Sequence, residues 1–132
     1  IIIDDTYNAN PSATVNALEF ISDIETSDKT IFVFGDMKEL GENAITQHRN
    51  LAPEIIKAGV DCLLGVGKFT RFLIEEFKKG KIKSNIQVAE WFKSKSELMK
   101  SLTDNLQGED NLILVKGSRF MRMEKVVQFL ME

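Results

Sequence analysis

A polar segment near the start of the chain has the residue types of a ligand-binding site. Asp4 to Pro11 reads Asp-Asp-Thr-Tyr-Asn-Ala-Asn-Pro and directly follows Ile1 to Ile3. The isoleucines predict a strand buried on both faces, and Asn10 followed by Pro11 predicts the start of a helix. Carboxylates, a phenol and carboxamides therefore stand between a strand and a helix, where open α/β sheets bind ligands. The alternative is a polar loop with a helix cap.

A second polar segment, Gly35 to Asn43, follows the apolar run Thr30 to Phe34 and contains Asp36. The single histidine, His48, comes shortly afterwards, on the apolar side of a predicted helix. A histidine in such a position is more often a hydrogen-bonded structural residue than a base or a ligand. His48 is therefore a weak candidate for catalysis, and no other residue is assigned as catalytic.

The third polar segment, Lys116-Gly117-Ser118-Arg119, follows the apolar run Leu112 to Val115. Glycine allows close approach of the backbone, and two cations beside backbone amides at a helix start can hold a carboxylate or a phosphate. The alternative is a glycine turn with surface cations.

Apolar runs and helical stripes alternate along the chain. Predicted strands are Ile1 to Ile3, Thr30 to Phe34, Cys62 to Val66, Ile86 to Ala89 and Leu112 to Val115. A helix follows each strand, and Pro53 predicts a kink or a late helix start near Asn50. The pattern predicts an α/β fold: a Rossmann-like three-layer αβα domain with a mainly parallel sheet of about five strands. Strand order stays open, but the three polar segments all fall at the carboxyl edge of the sheet.

The composition of the chain excludes several classes of partner and of metal site. A chain of 132 residues fits one domain, and 17 Lys and Arg against 20 Asp and Glu give no general attraction to nucleic acid or to an anionic membrane. The single Cys62 excludes an internal disulfide and a multi-cysteine metal site. No apolar run approaches the roughly 20 residues that cross a bilayer. We expect a soluble intracellular protein without nucleic-acid or membrane partners. The start at Ile1, without Met, suggests a segment of a longer chain.

Two common nucleotide-binding motifs are missing. Gly65-Val66-Gly67-Lys68 lacks the first glycine of a P-loop, and Phe69 stands where a P-loop has Ser or Thr. No Gly-x-Gly-x-x-Gly follows the first predicted strand. The predicted Rossmann-like shape therefore does not imply a nicotinamide cofactor.

Taken in order, the three polar segments carry a family likeness. Asp4 to Ser12, Phe34 to Glu42 with His48 after it, and Val115 to Arg119 followed by Met123-Glu124 resemble the C-terminal domain of the Mur ligases. The resemblance is to the branch that adds D-Ala-D-Ala to UDP-MurNAc-tripeptide. The three motifs span nearly the whole chain, which makes the match specific.

The resemblance implies an enzyme of peptidoglycan synthesis in the bacterial cytoplasm. Such a ligase uses ATP and Mg²⁺ to activate the carboxylate of UDP-MurNAc-tripeptide as an acyl phosphate, which the amine of D-Ala-D-Ala attacks. Residues 1–132 would be its C-terminal domain, closing over a central domain that holds the P-loop and the magnesium ligands. The central and N-terminal domains are not in this sequence, so the chain alone is expected to be inactive and to bind no metal itself.

The resemblance also implies two groups of site residues. Those implied to contact ATP are Asp5, Tyr7, Asn8 and Asn10. Those implied to border the dipeptide are Asp36, Lys116, Ser118 and Arg119.

Two alternatives remain open. One is another Mur-type amino-acid ligase. The other is a non-catalytic, receiver-like α/β binding module, in which Asp4 and Asp5 would bind magnesium and Lys116 would end the fifth strand. A receiver also needs an aspartate at the end of its third strand, where this chain has Gly65-Val66-Gly67.

Overall fold

The computed structural model describes residues 1–7, 9–25, 28–80, 82–106, 108 and 110–132. The strands are β1 (Ile2–Asp5), β2 (Thr30–Gly35), β3 (Cys62–Val66), β4 (Val88–Phe92) and β5 (Leu112–Lys116). The α-helices are α1 (Pro11–Ser22), α2 (Ala44–Arg49), α3 (Ala52–Lys57), α4 (Thr70–Lys78), α5 (Lys95–Asn105) and α6 (Glu124–Met131). Short 3₁₀ turns span Gly41–Asn43 and Arg119–Met121. All strands pair in parallel, in the order β1-β5-β2-β3-β4.

The three central strands β5, β2 and β3 are buried along their whole length. Because side chains alternate along a strand, successive residues of β2 face different layers. Phe32 packs in one core with residues of α1, α3 and α4, whereas Ile31 packs in the other core with residues of α5 and α6. This arrangement confirms the predicted three-layer α/β fold with a parallel sheet. Burial raises the pKa of Cys62 to about 12, as expected of a thiol in the core.

Both edge strands depart from the sequence-based prediction. The prediction that Ile1 to Ile3 form a strand buried on both faces is wrong, because β1 lies at the sheet edge and its isoleucines are half-buried. The fourth strand is predicted at Ile86 to Ala89, whereas β4 begins two residues later and ends three residues later. The N–H groups of Gln87 and Val88 both donate to the carbonyl of Asp61, which leads the chain into the sheet. An edge strand needs no continuous apolar run, so its limits are poorly marked in the sequence.

The kink or late helix start predicted near Asn50 is present as a break between two helices. α2 ends at Arg49 and α3 begins at Ala52, with Pro53 in the first turn of α3. Proline is tolerated there because the first helical N–H groups have no intrahelical acceptor. Among the described helices, none has the length and apolar character required to cross a membrane.

Candidate functional site

The strand order brings the three polar segments together. β5 lies between β1 and β2, so the loops that follow these three strands are neighbours at the carboxyl edge of the sheet. Two adjoining cavities open there. The first, which we call the tyrosine cavity, measures about 770 Å³ and is lined by Thr6, Tyr7, Arg119, Phe120, Arg122 and Glu124. The second, the serine cavity, measures about 460 Å³ and is lined by Ala9, Asn10, Lys38, Glu39, Leu40, Ser118, Arg119 and Phe120.

The loop after β1 combines internal hydrogen bonds with an exposed ring. Asp4 Oδ1 accepts from the hydroxyl of Thr6 at 2.7 Å. Asn10 Oδ1 accepts from the N–H of Ala13 at 2.8 Å, which is the predicted N-cap of α1. Tyr7 is 71% exposed at the rim of the tyrosine cavity. Asn8, one of the residues implied to contact ATP, lies outside the described residues.

An ion pair joins a residue predicted to contact ATP to a residue predicted to border the dipeptide. Lys116 Nζ donates to Asp5 Oδ2 at 2.7 Å, across the neighbouring ends of β1 and β5. The Lys116 side chain is 1% exposed, whereas that of Asp5 is 41% exposed. The structure therefore places the ammonium below the surface and the carboxylate at the surface. Lys116 holds Asp5 in position, while Asp5 stays accessible.

Asp36 is buried, and its carboxylate caps the amino end of α4. Its two oxygens accept from the N–H of Phe69 and from the N–H and hydroxyl of Thr70, at 2.8 to 3.1 Å. These N–H groups belong to the first turn of a helix and have no acceptor within it. Gly67 packs against this carboxylate with φ +117°, where any side chain would collide with Asp36. The structure thus gives Asp36 a positioning role, and its contact with a dipeptide stays a prediction.

His48 is fully buried beneath the loop that follows β2. Its Nε2 accepts from the N–H of Met37 at 3.0 Å, so the proton of the neutral ring is on Nδ1, which lies 2.7 Å from the carbonyl oxygen of Ala44. Burial lowers the pKa of His48, opposed by the hydrogen bond to Ala44 and by the carboxylate of Asp36. Both ring nitrogens are engaged by the protein. The geometry favours the structural interpretation of His48 over catalysis.

Ser118 joins the loop after β5 to the loop after β2. Its N–H donates to the carbonyl of Asp36 at 3.0 Å. Its hydroxyl is buried without a hydrogen-bond partner among the described residues, although Ser118 lines the serine cavity. A buried hydroxyl without a partner is costly unless a ligand or water satisfies it. Gly117, just before it, lets Met123 pack against the strand ends, because a side chain there would meet Met123.

Two cations lie over exposed aromatic rings at the rim. The Arg119 guanidinium is 4.8 Å from the centre of the Tyr7 ring, and its Nη1 is 3.5 Å from the phenol oxygen. Lys38 Nζ lies 3.7 Å from the centre of the Phe120 ring, which is 75% exposed. Flat rings with adjacent positive charge can stack on a base and attract phosphates or carboxylates.

A sequence profile described as "Mur ligase, glutamate ligase domain" matches residues 1–119. The chain belongs to the Mur ligase family. The match confirms the family resemblance and excludes the receiver-like alternative.

Individual relatives point to one branch of the Mur ligases. The UDP-N-acetylmuramoyl-tripeptide-D-alanyl-D-alanine ligase of Rickettsia prowazekii is 34% identical over 128 residues, which are 97% of this chain and 27% of that protein. The ligase of the same name from Bacillus subtilis is 32% identical over 131 residues, covering 99% of this chain and 28% of that protein. The chain therefore spans about a quarter of the length of these relatives.

Solved structures that resemble this chain belong to the same branch of the Mur ligases. MurF from Acinetobacter baumannii superposes with a TM-score of 0.81 at 28% identity, over 98% of this chain and 27% of that one. The MurF ligase of Thermotoga maritima, solved in complex with ADP, superposes with a TM-score of 0.71 at 27% identity, over 97% and 27% of the two chains.

Several residues that line the cavities of this Mur ligase domain, four of them charged or aromatic residues considered next, were not among the predicted site residues. Lys38, Glu39, Phe120 and Arg122 all line one or both cavities. Glu39 and Arg122 have left-handed backbones, with φ of +63° and +52°, a conformation uncommon for residues other than glycine. Neither residue type signals such a backbone, so the sequence offered no local cue. Lys38 and Glu39 lie within the family motif Phe34 to Glu42, and that motif was the available signal.

The described residues contain no dense group of metal-ligating side chains. Among them, no three His, Cys, Asp or Glu side chains lie close enough together to bind a metal ion.

Proposed function

We propose that this chain is the C-terminal domain of a longer bacterial, cytoplasmic ligase that adds D-Ala-D-Ala to UDP-MurNAc-tripeptide at the expense of ATP. The observation that carries the proposal is whole-chain similarity to ligases of that name, at 34% identity over 97% of the chain in one case. The adjoining cavities, built from all three family motifs, support it. The whole protein's activity, substrates and magnesium requirement are parts of this proposal.

In the proposed reaction, the carboxylate of the tripeptide is first phosphorylated by ATP. This step breaks the bond to the γ-phosphoryl group and releases ADP. The dipeptide amine then attacks the acyl carbon, an amide bond forms, and phosphate and a proton leave. The proposal includes a magnesium requirement, and the ligands of that ion would lie in the central domain, as the family resemblance implies. The role of this domain is to bind and orient two of the reactants over the missing central domain.

The tyrosine cavity is the proposed nucleotide side. Tyr7 offers an exposed ring for stacking on adenine, and Arg119 beside it can attract phosphate. The half-exposed carboxylate of Asp5 can accept hydrogen bonds from ribose hydroxyls. The side chain of Asn10 caps α1, so its contribution is mainly to fix the loop. Asn8 remains a proposed contact from the family motif alone.

The serine cavity is the proposed dipeptide side. The terminal carboxylate of D-Ala-D-Ala suits the positive charges of Lys38 and Arg119 and the unpartnered hydroxyl of Ser118. Asp36 and Lys116 then act as positioning residues. Asp36 fixes the loop that carries Lys38, and Lys116 fixes Asp5.

The test uses the full-length protein and measures phosphate release with ATP, UDP-MurNAc-tripeptide and a panel of amine substrates. Arg119→Ala should raise the KM for ATP or for D-Ala-D-Ala by about tenfold, the loss expected for one charge-assisted contact. Arg71→Ala is the matched control, because Arg71 lies 4.9 Å from the ring centre of Trp91, outside both cavities. It should leave both KM values unchanged.

A second variant separates function from folding. Asp5→Asn keeps an oxygen that can accept a hydrogen bond from the buried Lys116, so it should reduce ATP use in the full-length protein while the 132-residue chain keeps its circular dichroism spectrum. Phosphate release with a single amino acid, but not with D-Ala-D-Ala, would instead favour another Mur-type ligase. No phosphate release with any amine would overturn the proposal.

A further inference from the structure

The serine cavity has charges of both signs on its walls. Lys38 and Arg119 supply positive charge, and Glu39 supplies a carboxylate. The buried hydroxyl of Ser118, which lacks a partner among the described residues, lies between the loops that carry them. A volume of about 460 Å³ lies within the ordinary range for small-molecule pockets. Such a cavity suits a small zwitterion, with separate positions for its anionic and cationic ends.

Glu39 is the unexplained member of this set. It is exposed, and its carboxylate has no hydrogen-bond or ion-pair partner among the described residues. Its φ of +63° would suit glycine better, because an L side chain is strained in the left-handed region. The acidic residues Asp5 and Asp36 nearby both have partners in the protein. Glu39 thus keeps a strained backbone and an unpaired charge in the wall of a cavity, as residues that bind ligands often do.

We infer that Glu39 binds the ammonium group of the incoming dipeptide and thereby selects substrates with a free amino terminus. The inference rests on the proposed function, since it takes D-Ala-D-Ala as the occupant of the serine cavity. Lys38, Arg119 and Ser118 receive the carboxylate end, and Glu39 receives the other end. Only the neutral amine can attack the acyl phosphate. Glu39 therefore binds and orients the dipeptide before its ammonium group loses a proton.

The kinetic test compares Glu39→Gln with Glu42→Gln in the full-length protein. Glu42 lies three residues further along the same loop, is exposed, and is absent from the lining of both cavities. Glu39→Gln should raise the KM for D-Ala-D-Ala by about tenfold or more, as for the loss of a charge-assisted hydrogen bond. The KM for ATP should stay within about twofold of wild type, and Glu42→Gln should change neither value.

A third variant separates the carboxylate from the backbone. Glu39→Gly removes the charge and fits the left-handed conformation without strain. It should show the same rise in KM as Glu39→Gln, with unfolding no easier than in wild type. A structural role for Glu39 would predict a normal KM in both variants.

The ligand side is tested with N-acetyl-D-Ala-D-Ala, which keeps the carboxylate but has no ammonium group. As an inhibitor it should bind wild type about tenfold more weakly than D-Ala-D-Ala binds, and Glu39→Gln should abolish that preference. A preference that survives in Glu39→Gln, or a KM equal to that of Glu42→Gln, overturns the inference while the proposed function stands. If wild type releases no phosphate with D-Ala-D-Ala, the proposed function fails, and this inference fails with it.

Discussion

Two sets of polar residues meet at the same edge of the sheet and differ in their burial and in their hydrogen-bond partners. In the buried set, hydrogen bonds of 2.7 to 3.0 Å hold Asp36, His48 and Thr70. In the rim set, Tyr7 and Arg119 are exposed and make contacts at longer range. The hydrogen-bonding groups of the buried set have partners in the protein, whereas the side chains of the rim set remain accessible to a ligand.

The physical reason is the cost of burial. A polar group away from water must find a partner in the fold, so buried polar residues are held by several hydrogen bonds. A rim residue is solvated and can remain without a partner until a ligand arrives. Even the strained backbones of Glu39 and Arg122 lie in the rim. Sorting polar residues by partner, and not only by position, therefore separates the groups that build the site from those that contact its ligands.

The largest expected effect lies in the buried set. Asp36→Ala should lower the free energy of unfolding by about 2 to 4 kcal/mol, because it leaves the partly buried N–H of Phe69 and the buried donors of Thr70 without an acceptor. Urea denaturation followed by circular dichroism measures the change. Asp4→Ala is the control, since exposed Asp4 binds only Thr6 among the described residues. A loss below about 1 kcal/mol for Asp36→Ala would break the distinction between the two sets.

The next effect is a pH dependence that comes from His48. The unfolded side chain takes up a proton near pH 6.5, but burial lowers the pKa in the folded state. Between those two pKa values the unfolded state binds more protons, so the free energy of unfolding should fall as the pH drops below about 6.5. The NMR titration of the single histidine should give a midpoint below 6.5. A midpoint at or above it would contradict the burial of a neutral ring.

His48→Gln supplies the control for that measurement. Urea denaturation at several pH values should show a shallower decline for the variant between pH 7 and 5.5. An unchanged decline would assign the pH dependence to carboxylates instead.

A smaller effect of opposite sign is expected in the rim. Arg122→Gly should raise the free energy of unfolding by about 0.5 to 1 kcal/mol, because glycine adopts the left-handed backbone without strain. Thermal and urea denaturation both report this change. The same substitution at Lys100, an exposed residue within α5, should lower stability by about 1 kcal/mol. Loss of stability at both positions would mean that Arg122 is not strained.

The smallest effect is expected for Arg119→Ala. An exposed cation over a ring contributes little, so the free energy of unfolding should change by less than about 0.5 kcal/mol. The substrate KM values should nevertheless change, as proposed above. A stability loss comparable to that of Asp36→Ala would show that the rim is structural and that the two sets are not distinct.

The elements differ in how well they could be predicted. β2, β3 and β5 read as continuous apolar runs because both faces of each are covered. The break between α2 and α3 was marked by Pro53. β4 was misplaced and β1 was wrongly judged buried, since an edge strand is covered on fewer sides and its composition is less constrained.

The candidate site was predicted in part. The sequence placed Asp5, Tyr7, Asp36 and Arg119 at one edge of a parallel sheet, and the structure brings those loops together. The sequence could not show that Asp36 caps α4 or that Arg119 lies over the ring of Tyr7. Both are charged residues in polar loops after a strand, and no local property tells them apart.

The sequence by itself therefore determined the fold class, the alternation of strands and helices, and the family motifs, because these depend on local patterns of residue type and spacing. Tertiary structure alone decided the strand order, the pairing of Lys116 with Asp5, and which polar side chains are buried. Each of these depends on contacts between residues far apart in the chain, such as the 111 positions that separate Asp5 from Lys116. A burial cost and a hydrogen-bond partner exist only once those segments are packed together.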